Sequence, residues 1–72
     1  MKIFDTKELG KVLRQKRKEA GLTQHDLAQH AGVGVRFISE LENGKDTAEI
    51  GKALHVFNIL GFNMFIKSRN EN

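Results

Sequence analysis

Residues 21–45 read GLTQHDLAQHAGVGVRFISELENGK, and this stretch decides the fold. A short helix is predicted from about Gln24 to Ala31, because Thr23 is a favourable N-cap residue. A second helix is predicted from Gly34 or Val35 to about Glu42, where apolar residues recur at helical spacing. Gly32 lies between the two helices, and a residue without a Cβ can adopt a positive φ there.

Two short helices joined by a glycine turn are typical of the helix-turn-helix arrangement, whose second helix enters the major groove of DNA. Ala28 is small and allows the two helices to approach closely. Leu27, Ile38 and Leu41 are expected to pack between them. The stretch therefore predicts a helix that reads DNA, held by the helix before it.

Helices are also predicted on both sides of this stretch. The N-terminal helix runs from about Thr6 to Ala20 and is followed by Gly21, a typical C-terminal cap. The C-terminal helix runs from about Thr47 to Leu60 and is followed by Gly61. Its apolar residues recur at i, i+3, i+4 and i+7, which is typical of an inward-facing side. The residues with this spacing are Ile50, Ala53, Leu54 and Phe57.

Residues 62–67 follow a period of two, which predicts a strand. A single strand needs partners for its backbone N–H and C=O groups. Residues 2–4 could pair with it within the chain, or the same strand of a second protomer could pair with it across a two-fold axis. We expect the second protomer to contact Phe62, Met64, Phe65, Ile66, Val56 and Ile59. Residues 68–72 are predicted to be a flexible tail.

The chain has 72 residues, which predicts a single domain over residues 1–72. A domain of this size buries only ~60% of the surface of its unfolded chain. Small domains often need a disulfide, a metal or a second copy to be stable. The sequence has no cysteine and three histidines, so we expect no metal and no cofactor, and association with a second copy instead. A closed catalytic pocket is hard to build at this size, so we do not expect an enzyme.

The longest run without Asp, Glu, Lys or Arg covers residues 53–66, whereas a membrane-spanning helix needs ~20 residues. We therefore expect no membrane partner and a cytoplasmic protein. The net charge is +3, and residues 1–36 hold 8 Lys and Arg against 4 Asp and Glu. A basic half suits a polyanion such as nucleic acid. A solvated helix face rich in lysine is the alternative explanation.

The residue order resembles the phage-repressor (Xre-type) helix-turn-helix family over residues 9–60. The matching motifs are LTQ at 22–24, LA at 27–28, AGV at 31–33 and I-x-x-L-E-N-G-K at 38–45. The resemblance implies a mainly α fold, a phage-repressor-like helix-turn-helix domain of four to five helices. In this family the second helix presents a glutamine to a DNA phosphate at its N-terminus, and here that residue is Gln24.

The third helix would read bases with the residues at its outer, N-terminal positions. Arg36 can donate two hydrogen bonds to guanine, Val35 can contact a thymine methyl group, and Ser39 can contact several bases. Glu40 could accept from cytosine or repel the DNA backbone. Gly34 and Val35 replace polar residues that are often found here, so readout would rest on Arg36 and Ser39. The remaining phosphate contacts are expected from Asn43, Lys45, Arg14 and Lys18.

The same resemblance concerns Arg17 and Glu42. In the family, an arginine at this position pairs with the glutamate before Asn-Gly inside the fold. Arg17 would then belong to the structure and not to the DNA-binding surface, and loss of one partner would strand a buried charge. Two exposed charges with little effect on stability are the alternative.

Residues 45–67, KDTAEIGKALHVFNILGFNMFIK, resemble the C-terminal part of HipB-type antitoxins. The resemblance implies a homodimeric repressor that binds a pseudo-palindromic operator in double-stranded DNA and regulates its own promoter. It also implies a HipA-type serine/threonine kinase toxin as a partner. Two alternatives stay open: a stand-alone Xre-type regulator, or an interaction module that neutralises a partner and binds little DNA of its own.

Overall fold

The computed structural model describes residues 2–70, and this part of the chain contains four α-helices. They are α1 (Thr6–Glu19), α2 (Gln24–Ala31), α3 (Val35–Glu42) and α4 (Ile50–Ile59). The prediction of a mainly α fold with four to five helices is confirmed, with four helices in the described residues. The last helix begins later than predicted, at Ile50 and not at Thr47, because the chain makes turns between α3 and α4 before it becomes helical.

The starts of α1 and α2 follow local side-chain chemistry. The Asp5 carboxylate accepts a hydrogen bond from the backbone N–H of Glu8 at 2.8 Å. Thr23 and Asp26 form a reciprocal capping box at the start of α2, with both hydrogen bonds at 3.0 Å. The hydrogen bond from the Thr23 backbone, helped by its side chain, lowers the pKa of Asp26. These caps fix where α2 begins, and with it the position of Gln24.

All four helices contribute to one apolar core. Its buried residues are Leu13, Leu27, Ala28, Ala31, Ile38, Leu41, Ala53, Val56 and Phe57. Burial of one large apolar side chain contributes ~1.5–3 kcal/mol, so the packing of α2 and α3 through Leu27 and Ile38 holds the helix pair together.

The inward face of α4 differs from the predicted one. Val56 is completely buried, whereas Ile50 and Leu54 are exposed. The helix is turned about its axis so that Ala53, Val56 and Phe57 face the core. The prediction that Val56 lies in a dimer interface is therefore wrong, because this side chain is completely buried in the core of its own protomer and has no surface left for a partner.

Gly10 brings α1 into direct backbone contact with the end of α3. A Cβ atom at this position would lie 2.4 Å from the Glu42 carbonyl oxygen and 2.6 Å from that of Leu41. A glycine is therefore required for this approach. One turn earlier, the Thr6 hydroxyl donates a hydrogen bond to the Gly44 carbonyl at 2.7 Å. Together these contacts hold the C-terminal end of α3 and the loop that follows it.

The segment after α4, residues 62–68, forms neither a helix nor a strand. The Phe62 ring packs edge-on against Phe57 with ring centroids 5.4 Å apart, and the Phe62 backbone N–H donates to the Phe57 carbonyl at 3.1 Å. Residues 2–70 contain no strand, so the alternative in which residues 62–67 pair with residues 2–4 is excluded, and the strand itself is not formed within one chain. Pairing with a second protomer stays a prediction, since a strand without a neighbour makes no ladder.

The predicted flexible tail is only partly described, because residues 71 and 72 of it lie outside the described residues. At its start, the Asn70 backbone N–H donates to the Ser68 hydroxyl at 3.3 Å. None of the helices in residues 2–70 has the length and apolar character that crossing a bilayer requires. The same residues hold no group of three His, Asp or Glu side chains that could bind a metal ion.

Candidate nucleic-acid interface

The turn between α2 and α3 presents the start of α3 to solvent. Gly32 adopts a φ of 68° at the end of α2, and the Val33 N–H donates to the Ala28 carbonyl at 3.0 Å. Gly34 caps α3 without a side chain. Val35 and Arg36 follow at once and are exposed, with 89% of the Arg36 side chain accessible. The predicted base-reading residues therefore lie at an open helix end.

Ser39 and Glu40 lie one turn further along the same helix and are half-buried. The Glu40 carboxylate accepts a hydrogen bond from Lys45 Nζ at 3.0 Å and lies 3.9 Å from Arg36 Nε. The hydrogen bond from Lys45, with the positive charges of Lys45 and Arg36, lowers the pKa of Glu40. We call Arg36, Glu40 and Lys45 the exposed cluster. Its carboxylate links the predicted guanine-reading arginine to a predicted phosphate-binding lysine.

Phe37 lies between these residues in sequence and packs against the core. Lys52 Nζ lies 6.0 Å from the centre of its ring, which is at the limit of a cation–π contact. The Phe37 side chain is thus partly buried against the core and lies beside Lys52 of α4.

Arg17 and Glu42 form the ion pair that the family resemblance implied. Arg17 Nε donates to Glu42 Oε2 at 2.6 Å and a terminal guanidinium nitrogen donates to Oε1 at 3.0 Å. The other terminal nitrogen donates to the Leu22 carbonyl at 2.7 Å. The two side chains are 9% and 2% exposed, and the hydrogen bond to Glu42 raises the pKa of Arg17. A bidentate, buried geometry of this kind is structural.

Gln24 joins this pair, which the sequence did not predict. Its Nε2 donates to Glu42 Oε1 at 3.1 Å, and its side chain is half-buried at the first position of α2. We call Arg17, Glu42 and Gln24 the buried cluster. The motif positions of Gln24 and Glu42 were both recognised, but only the meeting of two helix ends in space reveals their contact.

A basic stripe runs along α1 beside the end of α3. It consists of Lys7, Lys11, Arg14 and Lys18, which recur at helical spacing and are all exposed. Thr6 and Gly10 on the adjoining side contact Gly44 and the last residues of α3. The stripe therefore lies beside the C-terminal end of α3. Lys7 and Lys11 are candidate phosphate contacts that the sequence-based prediction did not include.

The loop after α3 completes this flank. Asn43 caps α3 and is exposed, as is Lys45. A Cβ atom on Gly44 would lie 2.8 Å from the Lys7 Cα, so Lys7 lies directly beside the loop. The loop and the basic stripe thus form one continuous edge next to α3.

The predicted dimer residues other than Val56 lie at or near the surface. Phe62 is half-buried by its contact with Phe57. Phe65 is 81% exposed, Ile66 is fully exposed, and Ile59 and Met64 are also open to solvent. The described structure thus leaves an apolar segment uncovered after α4.

The fold and the exposed start of α3 define a helix-turn-helix protein of the DNA-binding regulator type. The chain belongs to the helix-turn-helix family, whose family model matches residues 13–63. It is also 48% identical over 64 residues to the uncharacterized HTH-type transcriptional regulator y4mF of Sinorhizobium fredii (strain NBRC 101917 / NGR234). That match covers 89% of this chain and 84% of the relative.

Solved structures with the same fold include HipB. A chain of the HipB–O1–O2 complex superposes with a TM-score of 0.85 at 25% identity, covering 94% of this chain and 99% of that chain. A chain of the HipA–HipB–O2–O3 complex superposes with a TM-score of 0.87 at 24% identity, covering 97% and 99%. The resemblance to the Xre-type, HipB-like group is thereby confirmed at the level of the fold.

Proposed function

We propose that this protein is a sequence-specific DNA-binding repressor that reads its operator with the N-terminal part of α3. The exposure of Arg36 at the open end of α3 carries the proposal. An arginine in the major groove can donate two hydrogen bonds to guanine, and Val35 beside it can contact a thymine methyl group. Ser39, one turn later, supplies a hydroxyl for a further base or a phosphate.

Phosphate contacts on both sides of α3 would set its position on the duplex. The proposed contacts on one side are Asn43, Lys45 and the basic stripe, including Arg14 and Lys18. On the other side lies Gln24 at the start of α2, where backbone N–H groups favour a phosphate. Such contacts carry no sequence information themselves but orient the base-reading residues.

We propose that the DNA-binding form is a homodimer. Supporting this, Met64, Phe65 and Ile66 expose apolar side chains on a segment whose backbone has no ladder partner within residues 2–70. Antiparallel pairing with the same segment of a second copy would bury these side chains and give the backbone N–H and C=O groups hydrogen-bond partners. A two-fold dimer places two copies of α3 on half-sites ~34 Å apart, which fits a pseudo-palindromic operator.

Truncation tests the dimer. Removal of residues 64–72 keeps Phe62 on Phe57 while it deletes the exposed apolar side chains. We expect a folded monomer with weak operator affinity. An intact dimer by sedimentation after this truncation contradicts the proposed interface.

We further propose the role of an antitoxin that represses its own promoter and binds a HipA-type kinase toxin. The fold shared with HipB supports this, since one such neighbour was solved together with HipA. The sequence of residues 45–67 supports it independently of the superposition. Co-purification with the protein encoded by the adjacent gene tests the proposal. An adjacent gene product without kinase activity contradicts it.

The central experiment is a gel shift on the DNA upstream of the coding sequence at two salt concentrations. We expect tight binding that weakens steeply with salt, because each neutralised phosphate releases counterions. Arg36→Ala should lose specific binding. Arg69→Ala removes the same charge from the C-terminal segment and serves as the matched control. No binding at low salt contradicts the proposal.

A second candidate function is an interaction module in which the helix-turn-helix is a scaffold. The observation in its favour is the apolar start of α3, where Gly34 has no side chain and Val35 is an exposed valine. This candidate predicts that Arg36→Ala leaves promoter binding unchanged while partner binding persists.

A further inference from the structure

We propose that the buried cluster positions Gln24 for DNA: Glu42 holds one N–H of the Gln24 amide, so that the second N–H is presented to a phosphate. The proposal rests on the proposed DNA-binding function and adds a role for a pair of charges that does not reach the DNA itself. Arg17 and Glu42 are thus positioning residues, and Gln24 is the residue that would touch the phosphate.

The geometry links three helix ends through one carboxylate. Glu42, the last residue of α3, accepts two hydrogen bonds from Arg17 in the last turn of α1, at 2.6 and 3.0 Å. It accepts a third from Gln24, the first residue of α2, at 3.1 Å. Arg17 also donates to the Leu22 carbonyl at 2.7 Å, which holds the chain that leads into α2.

The chemistry of the carboxylate fixes which way the Gln24 amide points. An ionised carboxylate only accepts hydrogen bonds, so the NH₂ group of the amide must face Glu42 and the amide oxygen must face away. This NH₂ group has two N–H bonds, and Glu42 takes one of them. A phosphate oxygen also only accepts, so it needs an N–H donor. The orientation imposed by Glu42 therefore keeps the second donor available.

The position of Gln24 makes this orientation useful. Its side chain is half-buried, so it covers the Glu42 carboxylate and still borders solvent. Arg17 offsets the charge of Glu42, which would otherwise repel a phosphate. A side chain that is held before binding loses less freedom when the DNA arrives.

A purely structural role for the ion pair gives a different expectation. Apolar residues of similar volume can replace a buried ion pair without loss of stability. If the pair serves stability alone, such a replacement leaves the contribution of Gln24 to DNA binding intact. If the pair positions Gln24, the fold survives but that contribution is lost.

A double-mutant cycle distinguishes a purely structural role of the ion pair from a role in positioning Gln24. The DNA affinity of the full chain for its upstream promoter DNA is measured with Gln24 or Gln24→Ala, each in the native and the Arg17→Met/Glu42→Leu background. In the native background we expect about a tenfold loss for Gln24→Ala, the size of one hydrogen bond to a charged group. In the apolar background we expect the loss to fall to about twofold.

Gln15→Ala is the matched control. The Gln15 amide also donates to a carboxylate, Glu19 Oε2 at 3.1 Å, but on the exposed outer side of α1. This variant should leave the DNA affinity unchanged in both backgrounds. Equal losses for Gln24→Ala in the two backgrounds, in folded proteins, overturn the inference and leave the proposed DNA binding standing. If the native chain fails to bind the promoter DNA, the proposed function and this inference both fail.

If the Arg17→Met/Glu42→Leu variant does not fold, a measurement on the native chain still tests the inference. In the ¹⁵N-labelled protein without DNA, one of the two Gln24 side-chain N–H protons should exchange slowly with solvent. The second should exchange fast and shift when promoter DNA is added. Fast exchange of both protons, or a shift of the first alone, overturns the inference.

Discussion

The buried cluster and the exposed cluster are both built around an arginine–glutamate pair, but in opposite surroundings. Each consists of an arginine, a glutamate and a third side chain that donates to the glutamate. In the buried cluster the arginine–glutamate distance is 2.6 Å and both side chains are nearly inaccessible. In the exposed cluster it is 3.9 Å and the Arg36 side chain is 89% accessible. Burial makes the first pair part of the fold, whereas exposure leaves the second pair free to exchange its partners for the proposed DNA contacts.

The largest expected difference between the clusters is in stability. Glu42→Ala should lower the free energy of unfolding by ~3–5 kcal/mol, because it leaves the Arg17 charge buried without a partner. Glu40→Ala should leave it nearly unchanged, because water screens an exposed pair. Urea unfolding measures both variants under the same conditions. A similar small change for both would show that burial does not distinguish the clusters.

The reverse difference is expected in DNA recognition. Arg36→Ala should reduce the discrimination between operator and random DNA by ~1–3 kcal/mol, while the urea midpoint stays at the native value. Competition gel shifts with the two kinds of DNA give the ratio directly. Arg36→Lys keeps the charge but loses the two-pronged donor, so it should restore affinity for both DNAs without restoring the ratio. Full specificity in Arg36→Lys would contradict the proposed contact.

A smaller effect is expected from the carboxylate of the exposed cluster. Glu40→Gln removes a negative charge beside Arg36 and Lys45, which frees both cations for phosphates. We expect a few-fold gain in affinity for random DNA and a steeper dependence on salt. Glu49→Gln breaks a comparable exposed pair with Lys52, 3.2 Å apart next to α4, and should change neither quantity. Equal gains in affinity from both variants would show that the effect comes from the net charge of the protein and not from the position of Glu40.

The smallest effect concerns pH. The pKa of Glu40 lies below its ordinary value, first because Lys45 donates a hydrogen bond to it. A carboxyl group with a lowered pKa in the folded state adds stability above its unfolded pKa and loses it as the pH falls through the folded pKa. The Lys45 contact should therefore persist at neutral pH and break only in acid, below the usual glutamate pKa of ~4.3.

An NMR titration of the Glu40 carboxyl carbon checks this expectation. Lys45→Met should move the midpoint back up toward the ordinary glutamate value. A midpoint that does not respond to this substitution would show that Lys45 is not the cause of the lowered pKa.

The helix pair could be predicted from the sequence because its signals are local. Thr23 with Asp26 marks the start of α2, and Gly32 marks its end. The face of α4 could not be predicted, since apolar residues lie on more than one side of this helix. Ile50 and Leu54 fit the expected spacing as well as Val56 does, and only packing against the other helices selects among them.

Interactions between distant parts of the chain were harder to predict from the sequence. The Arg17–Glu42 pair followed from the family resemblance, and the contact of Gln24 with the same carboxylate did not. The contact depends on three helix ends meeting, which no spacing along one helix encodes. A strand over residues 62–67 needs a partner strand that a single chain does not supply. The period of two therefore indicates that this segment can pair as a strand, but not that it does so in one protomer.

The close contact at Gly10 fixes the distance between the helices that carry two kinds of proposed DNA contact. Because the backbone of α1 rests directly on the carbonyl groups that end α3, no flexible side chain separates the basic stripe from the base-reading helix. The spacing between the two helices that carry the proposed phosphate-binding and base-reading groups is therefore set by a main-chain contact. A larger residue at this position would clash with these carbonyl groups, so α1 would have to move away from the end of α3 and the proposed phosphate contacts would move with it.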